Sequence, residues 1–384
     1  MRDSKKKALV VTPSARGGSW GAIRALMHEA EPSFVFTVVA LGTVLKQDRR
    51  YRIWRLPYPN YDEGAGRVAS SNSVLALIYD LPLLLLSFAA LLLYRPSVVM
   101  GNGLLVSLAM SIPAKMLGAK VICCHHGYVQ FYVGRIAQSV VRMGAKSLDC
   151  VVVNSETSRE DVATVVPRTR ILTVEHWADD IFFSRRDRLA CRAEFGVTDK
   201  FAVLYVGRID ADKQCGVLLK VVDAIAADPS FAFLFVGVGG LVGDVIDVQA
   251  KNANVRYLGY VGDSAKLARL YTCADLVWSY ADETYVARPG IEGLASGSPI
   301  LIPNTPALTK KRARGIVIRD DVIPKSVGWI VDSDPMLIAS MLFDIKTRGL
   351  AFKMRDDCTE YAKSKHSRRN MAPVIELLGR LSQQ

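Results

Sequence analysis

Short runs rich in Val, Ile, Leu and Phe recur along this chain, each followed by a stretch with helical spacing. Their apolar content is near-continuous rather than alternating, as strands covered on both faces require. In the first half the expected strands are Ala8–Thr12, Phe34–Ala40, Ser97–Gly101, Lys120–Cys124, Asp149–Val153 and Ile171–Val174. In the second half they are Ala202–Val206, Ala232–Val236, Val255–Leu258, Leu276–Trp278, Ile300–Ile302 and Gly328–Val331. Helical segments such as Gly216–Ala227 and Ala265–Tyr271 separate them, so the class is α/β with parallel sheets.

The series restarts near Phe201, after a polar, charged stretch from Ser184 to Lys200. A chain of 384 residues also exceeds what one hydrophobic core organises. Two domains are expected, residues 1–185 and 186–365, with the last helix, within 366–384, packing back on the first. Open parallel sheets bind ligands beyond the carboxyl ends of their strands, so residues just after strands are the ones to read.

Hydrophobic residues make up 50% and charged ones 22%, a balance that excludes a disordered chain. The formal charge of +12 favours anionic partners: nucleic acid, nucleotide phosphates or an acidic membrane surface. No basic helix interleaved with aromatics, zinc finger or RNP-like strand is present, so nucleic acid is not expected. The seven cysteines are scattered, without a CxxC or Cys/His cluster, which argues against a zinc site and for a reducing compartment. Met1 to Lys7 is polar and basic and lacks the apolar core of a signal peptide, so a cytoplasmic location is expected. Val74 to Tyr94 is apolar enough to be weighed as a membrane span. Asp80 and Pro82 interrupt it, and Arg95-Pro96 leads straight into another strand, so a buried or membrane-surface helix is expected.

Four stretches after strands carry chemistry. Val206-Gly-Arg-Ile-Asp-Ala-Asp-Lys213 sets Arg208 and Lys213 near one strand end, where Gly207 lets the backbone turn. Two such cations suit a diphosphate, although a solvated basic turn reads the same way. Glu283-Thr-Tyr-Val-Ala-Arg-Pro-Gly-Ile-Glu292 reads as a loop opening a helix near Gly290, whose backbone N–H groups would form an anion site. Glu292, in the first turn, is placed to accept from vicinal hydroxyls, as of a ribose; helix-dipole preference alone also favours an acid there. Ala15 to Gly21 holds Gly17-Gly18, which permit close backbone approach without completing a GxGxxG fingerprint. Cys124-His-His-Gly127 ends a further strand.

Together these stretches resemble the retaining glycosyltransferases of the GT-B fold, in the large group that includes glycosyltransferase family 4. The resemblance runs nearly full length and is strongest from Phe201 to Ile302. There VGRIDADK, FLFVGVGG, NVRYLGYV, LYTCADLVW and ARPGIEGLASGSPI stand in the family's order, with VGWIVDSDP following. In the first half MGNG (Met100 to Gly103), HHG (His125 to Gly127) and VVVNSE (Val151 to Glu156) add to it.

The resemblance implies two Rossmann-like domains facing across a cleft, the first binding acceptor and the second a nucleotide-sugar donor. It implies that Arg208 and Lys213 hold the donor diphosphate beside Gly207, and that Glu292 binds the ribose. Arg288 and Gly290 would lie at the same helix start, Tyr260 and Val261 at the nucleobase. Gly17 and Gly18 match the loop closing on the phosphates, and His126 the histidine touching the transferred sugar, with His125 its rival. One departure stands out. The family has two acids with seven residues between them, and that spacing back from Glu292 reaches Thr284, with Glu283 one position too early. Either Glu283 or Thr284 would contact the sugar hydroxyls.

The implied reaction is metal-independent hexosyl transfer to an acceptor hydroxyl with retention, by front-face attack. No covalent nucleophile and no DxD-like metal motif is apparent, so no cofactor is expected beyond the donor itself. The Val74–Tyr94 helix and the basic stretch Lys46 to Arg55 fit a lipid-linked or cell-surface glycan acceptor. They also fit peripheral contact with anionic lipid at the inner face of the plasma membrane. A sugar-nucleotide epimerase of the same fold and a non-catalytic nucleotide-binding relative stay open as alternatives.

Overall fold

The computed structural model describes residues 5–13, 17–41, 50–56, 73–125, 135–225, 227–279, 286–304 and 323–383. Each expected strand forms near its expected ends. In the first half β1 (Lys6–Thr12), β2 (Phe34–Leu41), β3 (Arg52–Leu56) and β4 (Val98–Asn102) join β5 (Lys120–Cys124), β6 (Cys150–Val153) and β7 (Ile171–Thr173). They form one parallel sheet in the order β3-β2-β1-β4-β5-β6-β7. The second sheet contains β8 (Phe201–Val206), β9 (Phe231–Val236), β10 (Val255–Tyr257), β11 (Leu276–Trp278), β12 (Ile300–Asn304) and β13 (Gly328–Asp332). Its order, β10-β9-β8-β11-β12-β13, repeats the same winding, out from the first strand one way and then the other. That doubly wound pattern makes each unit Rossmann-like and sets a topological switch point beside its first strand.

Helices cover both faces of each sheet, which is why the strands read as unbroken apolar runs. In the first unit these are α1 (Gly17–Ala30), α2 (Ser73–Tyr94), α3 (Leu104–Met116), α4 (Arg135–Ala145) and α5 (Glu156–Val162). Leu9, Val11, Val99 and Val121 face the layer formed by α2, α3 and α4, through Leu83, Leu91, Met110 and Val141. The second unit carries α6 (Asp180–Phe183), α7 (Arg188–Glu194), α8 (Cys215–Ile225), α9 (Val242–Lys251) and α10 (Ser264–Cys273). It continues with α11 (Arg288–Ala295), α12 (Pro335–Thr347), α13 (Leu350–Lys353) and α14 (Arg355–Lys365), and α15 (Ala372–Leu381) closes the chain. Among the described residues, no helix is long and apolar enough to cross a membrane.

The units comprise residues 1–175 with 371–384, and residues 176–370. The crossing thus precedes the expected boundary at 185/186, for a packing reason. Ala178 donates its N–H to the His366 carbonyl at 2.9 Å, and Phe182 sets its ring edge-on to Tyr271 at 5.8 Å, inside the second core. His366 itself bonds the His176 carbonyl through Nδ1 at 2.9 Å, so the return to the first unit comes later than residue 366. There α15 lies against α1.

One strand has no counterpart in the sequence reading. The basic stretch Lys46 to Arg55 runs into β3, an edge strand that pairs Arg52–Leu56 with Thr37–Leu41 of β2. Arg52 and Arg55 are exposed, while Trp54 packs edge-on against Tyr94 at 5.4 Å. Charged side chains on an edge strand blunt it against further pairing, and they hide its apolar signal in the sequence.

Candidate functional site

In the second unit the switch point lies between β8 and β11, which pair in parallel with Trp278 opposite Tyr205. Two of the sequence-marked stretches therefore start from neighbouring strand ends: Gly207 to Lys213 after β8, and the segment that enters α11 after β11.

The first stretch is fixed by its neighbour after β9. Gly207 donates its N–H to the Val236 carbonyl at 3.0 Å, and Ile209 donates to Val238 at 2.9 Å. Leu241 returns a bond to the Ile209 carbonyl at 2.9 Å, while Asp210 Oδ1 accepts the Gly240 N–H at 2.6 Å. The loop Val236 to Leu241 thus holds the turn after β8 by backbone bonds that reach past the strand ends to Ile209. Its glycines make this possible. Gly237, with φ +143°, lies so close to Gly207 that no side chain fits, and a methyl on Gly239 would fall 2.4 Å from the Ile209 carbonyl oxygen. Tyr205, fully buried, donates its hydroxyl to the Arg208 carbonyl and so anchors the turn from below.

On this scaffold the Arg208 guanidinium is exposed and pairs with Asp210 at 2.5 Å. Lys213 ends a single 3-10 turn, Ala211–Lys213, and is half-buried. Gln214 follows in the left-handed region at φ 60°, and the chain then enters α8. Gly237 donates to the Gly259 carbonyl at 2.9 Å, and its own carbonyl accepts the Tyr257 hydroxyl at 2.9 Å. Beyond Gly259, Tyr260 is exposed, and Val261 packs on the second core.

Helix α11 opens at Arg288, with Pro289 in its first turn and Ala287 at the N-cap. Ala287 has no side-chain acceptor, so no side chain caps the first turn among the described residues. Gly290 lets the helix close on the sheet: a methyl there would lie 2.6 Å from Ser279 Oγ. The Ser279 hydroxyl is buried at this junction and has no hydrogen-bond partner among the described residues.

The helix start at Arg288, before the expected Gly290, moves Glu292 out of the first turn and into the interior. Only 7% of Glu292 is exposed. Its Oε1 accepts from Arg288 Nε at 2.9 Å and its Oε2 from the Tyr271 hydroxyl at 3.1 Å. Arg288 also reaches Asp179 Oδ2 at 3.2 Å. Burial pushes the Glu292 carboxyl above its ordinary range, with Arg288 and Tyr271 opposing that shift. Neither Asp179 nor Tyr271 is among the site residues marked in the sequence. They lie far from Glu292 along the chain, and only the packing of α6, α10 and α11 brings them together.

In the first unit the switch point lies between β1 and β4. Asn102 Nδ2 donates to Thr12 Oγ1 at 3.0 Å there, and Gly103, at φ 111°, donates its N–H to the Cys124 carbonyl at 2.9 Å. Gly17 and Gly18 prove to be the first residues of α1 rather than loop. His125 is buried after β5, with its N–H on the Val152 carbonyl at 2.9 Å. His126, Glu283 and Thr284 lie outside the described residues. No group of three His, Cys, Asp or Glu side chains gathers as a metal site would need, among the described residues.

No protein-family model matches the chain. The sulfoquinovosyl transferase SQD2 of Arabidopsis thaliana is 24% identical over 293 residues, 70% of this chain and 54% of that protein. Spore coat protein SA of Bacillus subtilis (strain 168) is 30% identical over 159 residues, 37% of this chain and 41% of that protein. The chain thus spans about half the length of the curated relatives it matches. Among solved structures, Anabaena HepE in complex with UDP-glucose superposes with a TM-score of 0.71 at 14% identity, covering 98% of this chain and 100% of that one. Sucrose-phosphate synthase from Thermosynechococcus elongatus gives 0.73 at 18% identity, covering 98% of each. These likenesses show the fold: two parallel-sheet Rossmann-like domains of the GT-B type.

Proposed function

We propose that this protein is a retaining, metal-independent glycosyltransferase of the family 4 type. It takes a sugar from a nucleotide-diphosphate donor and delivers it to a hydroxyl of a lipid-linked or cell-surface glycan. The observation that carries the reading is the pair of segments that follow β8 and β11, the neighbouring strands of the switch point. One presents Arg208 and Lys213; the other leads into a helix whose first turn has no side-chain cap. Cations beside the positive end of a helix together suit a diphosphate. UDP and UDP-glucose sit in the related HepE fold, and the curated relative from Arabidopsis is named as a sugar transferase.

In this reaction negative charge grows on the departing diphosphate, so groups aimed at it act chiefly in the transition state. Arg208 and Lys213 supply that stabilisation in place of a metal. The acceptor hydroxyl attacks on the face from which the nucleotide leaves, His126 touches the sugar, and Glu283 or Thr284 holds its hydroxyls. Gly17 and Gly18 approach the phosphates, and Tyr260 and Val261 line the base. Glu292, braced by Arg288 and Tyr271, faces the ribose. The work is done in the cytoplasm, at the inner face of the plasma membrane.

A panel of UDP-, GDP- and ADP-sugars tests this reading by thermal shift and by nucleoside diphosphate release in the presence of acceptor glycans. A donor at 100 times its dissociation constant adds about 2.7 kcal/mol of stability, readily seen in a melt. The reading expects one base to stabilise, EDTA to leave turnover unchanged, and the product linkage to keep the donor's anomeric configuration. Stabilisation by no nucleotide overturns it.

A further inference from the structure

The α2, α3 and α4 layer has an outer face that the first core does not use. On α2 the residues Leu83, Ser87, Ala90 and Leu91 are buried, and the opposite stripe is open. Leu81, Leu85, Phe88 and Leu92, at helical spacings of four, three and four, are 52%, 63%, 44% and 48% exposed. Alongside, α3 exposes Ile112 and Met116, and α4 exposes Met143. The helices are neighbours: α2 packs on α3, and α3 meets α4, where Ser147 donates its hydroxyl to Ser111 at 2.6 Å. Isolated exposed leucines need no explanation, but side-by-side exposed apolar stripes do.

Cations edge this surface. Lys115 lies between Ile112 and Met116 on α3, Arg142 and Lys146 flank Met143, and Arg95 follows α2; all four are exposed. Neither α3 nor α4 contains an acidic residue, and α2 has only Asp80.

We propose that this face is the membrane-docking surface of the protein, and that its occupant is the headgroup layer of an anionic bilayer. The leucines and methionines enter the boundary between headgroups and acyl chains, and Lys115, Arg142, Lys146 and Arg95 meet lipid phosphates. Charge selects this occupant over a second copy of the chain. A symmetric pairing of the face would set its own cations against like charges on a protein already at +12, whereas anionic lipid complements them. The contact is interfacial and lies wholly on the first unit.

Co-sedimentation of the full chain with phosphatidylglycerol and phosphatidylcholine vesicles, without nucleotide, tests the assignment. Binding to the anionic vesicles at low salt, lost at high salt, is expected. Each cation near the surface contributes about fivefold in partitioning, so Lys115→Gln, Arg142→Gln and Lys146→Gln combined lower it about 100-fold. A second variant, Leu85→Gln, Phe88→Gln and Leu92→Gln, also loses vesicle binding while keeping a cooperative melt. Three results overturn the proposal: folded wild-type protein left in the supernatant, a three-cation variant that sediments like wild type, or a wild-type dimer that the α2 variant dissociates. Because the assay contains no nucleotide, its failure leaves the donor reading intact, and failure of the donor panel leaves the docking face intact.

Discussion

The backbone carbonyl of Gly207 occupies the space that a side chain on Gly237 would need: a methyl group there would fall 1.7 Å from its oxygen. Gly237 also has φ +143°, where only glycine is at ease. Gly237→Ala must therefore move the turn that presents Arg208, and a strained backbone position of this kind costs about 1–3 kcal/mol. Gly243, in α9, is the control, since nothing lies within 4 Å of the position its methyl would take. Gly243→Ala is expected to be neutral or to stabilise by about 0.4–1 kcal/mol. Urea unfolding of both variants checks this; equal stabilities would mean that the two loops do not lock.

Lys213→Ala is expected to lower turnover by about 100-fold, as removal of one electrostatic stabiliser does. Lys213 contributes charge that matters most as the diphosphate leaves, so the loss should appear in kcat more than in KM. Steady-state kinetics on the donor that the panel identifies give the split. Turnover within about threefold of wild type would remove Lys213 from the reaction.

The strands were legible because parallel strands buried on both faces must be apolar throughout, and nothing in β8 or β9 competes with that signal. The loop after β8 was legible too, since its glycine and both cations fall within seven residues, Gly207 to Lys213. What escaped notice depends on contacts distant in sequence. Asp179 and Tyr271 brace the Arg288–Glu292 pair, yet Asp179 lies in no motif and Tyr271, inside LYTCADLVW, reads there only as the end of a helix. Strand β3 escaped for another reason: Arg52 and Arg55 on an edge look like a solvated patch until Trp54 is seen against Tyr94. The helix start was misplaced by two residues because Pro289 suits a first turn as well as a loop.

All seven cysteines are free and buried. Burial raises the thiols of Cys124, Cys215, Cys273 and Cys358 to about 12 and that of Cys150 to about 11, and pushes Cys123 higher still. The thiolate is the reactive form, so the folded protein at pH 8 should react only slowly with a thiol reagent such as Ellman's. In denaturant all seven should titrate at once. Rapid reaction of several thiols in the folded protein would show that these cores open readily.

Glu292 links the buried network to pH. Burial raises its carboxyl in the folded state, against the opposing pull of Arg288 and Tyr271, so the folded protein holds that proton more tightly than the unfolded chain does. The sign follows. Its contribution to stability is fully present below the ordinary value of 4.5 and is lost as pH rises through the folded-state value. Glu292→Gln keeps the shape and stays neutral, so its stability relative to wild type should grow as pH rises above about 4.5 and then level off. Arg288→Ala acts in the opposite sense, leaving an uncompensated buried carboxylate at neutral pH at a cost of about 3–5 kcal/mol. That penalty should shrink on acidification, when Glu292 takes up its proton. Urea midpoints of the three proteins between pH 4 and pH 8 separate these outcomes, and parallel curves would mean that Glu292 is not held in the interior as described.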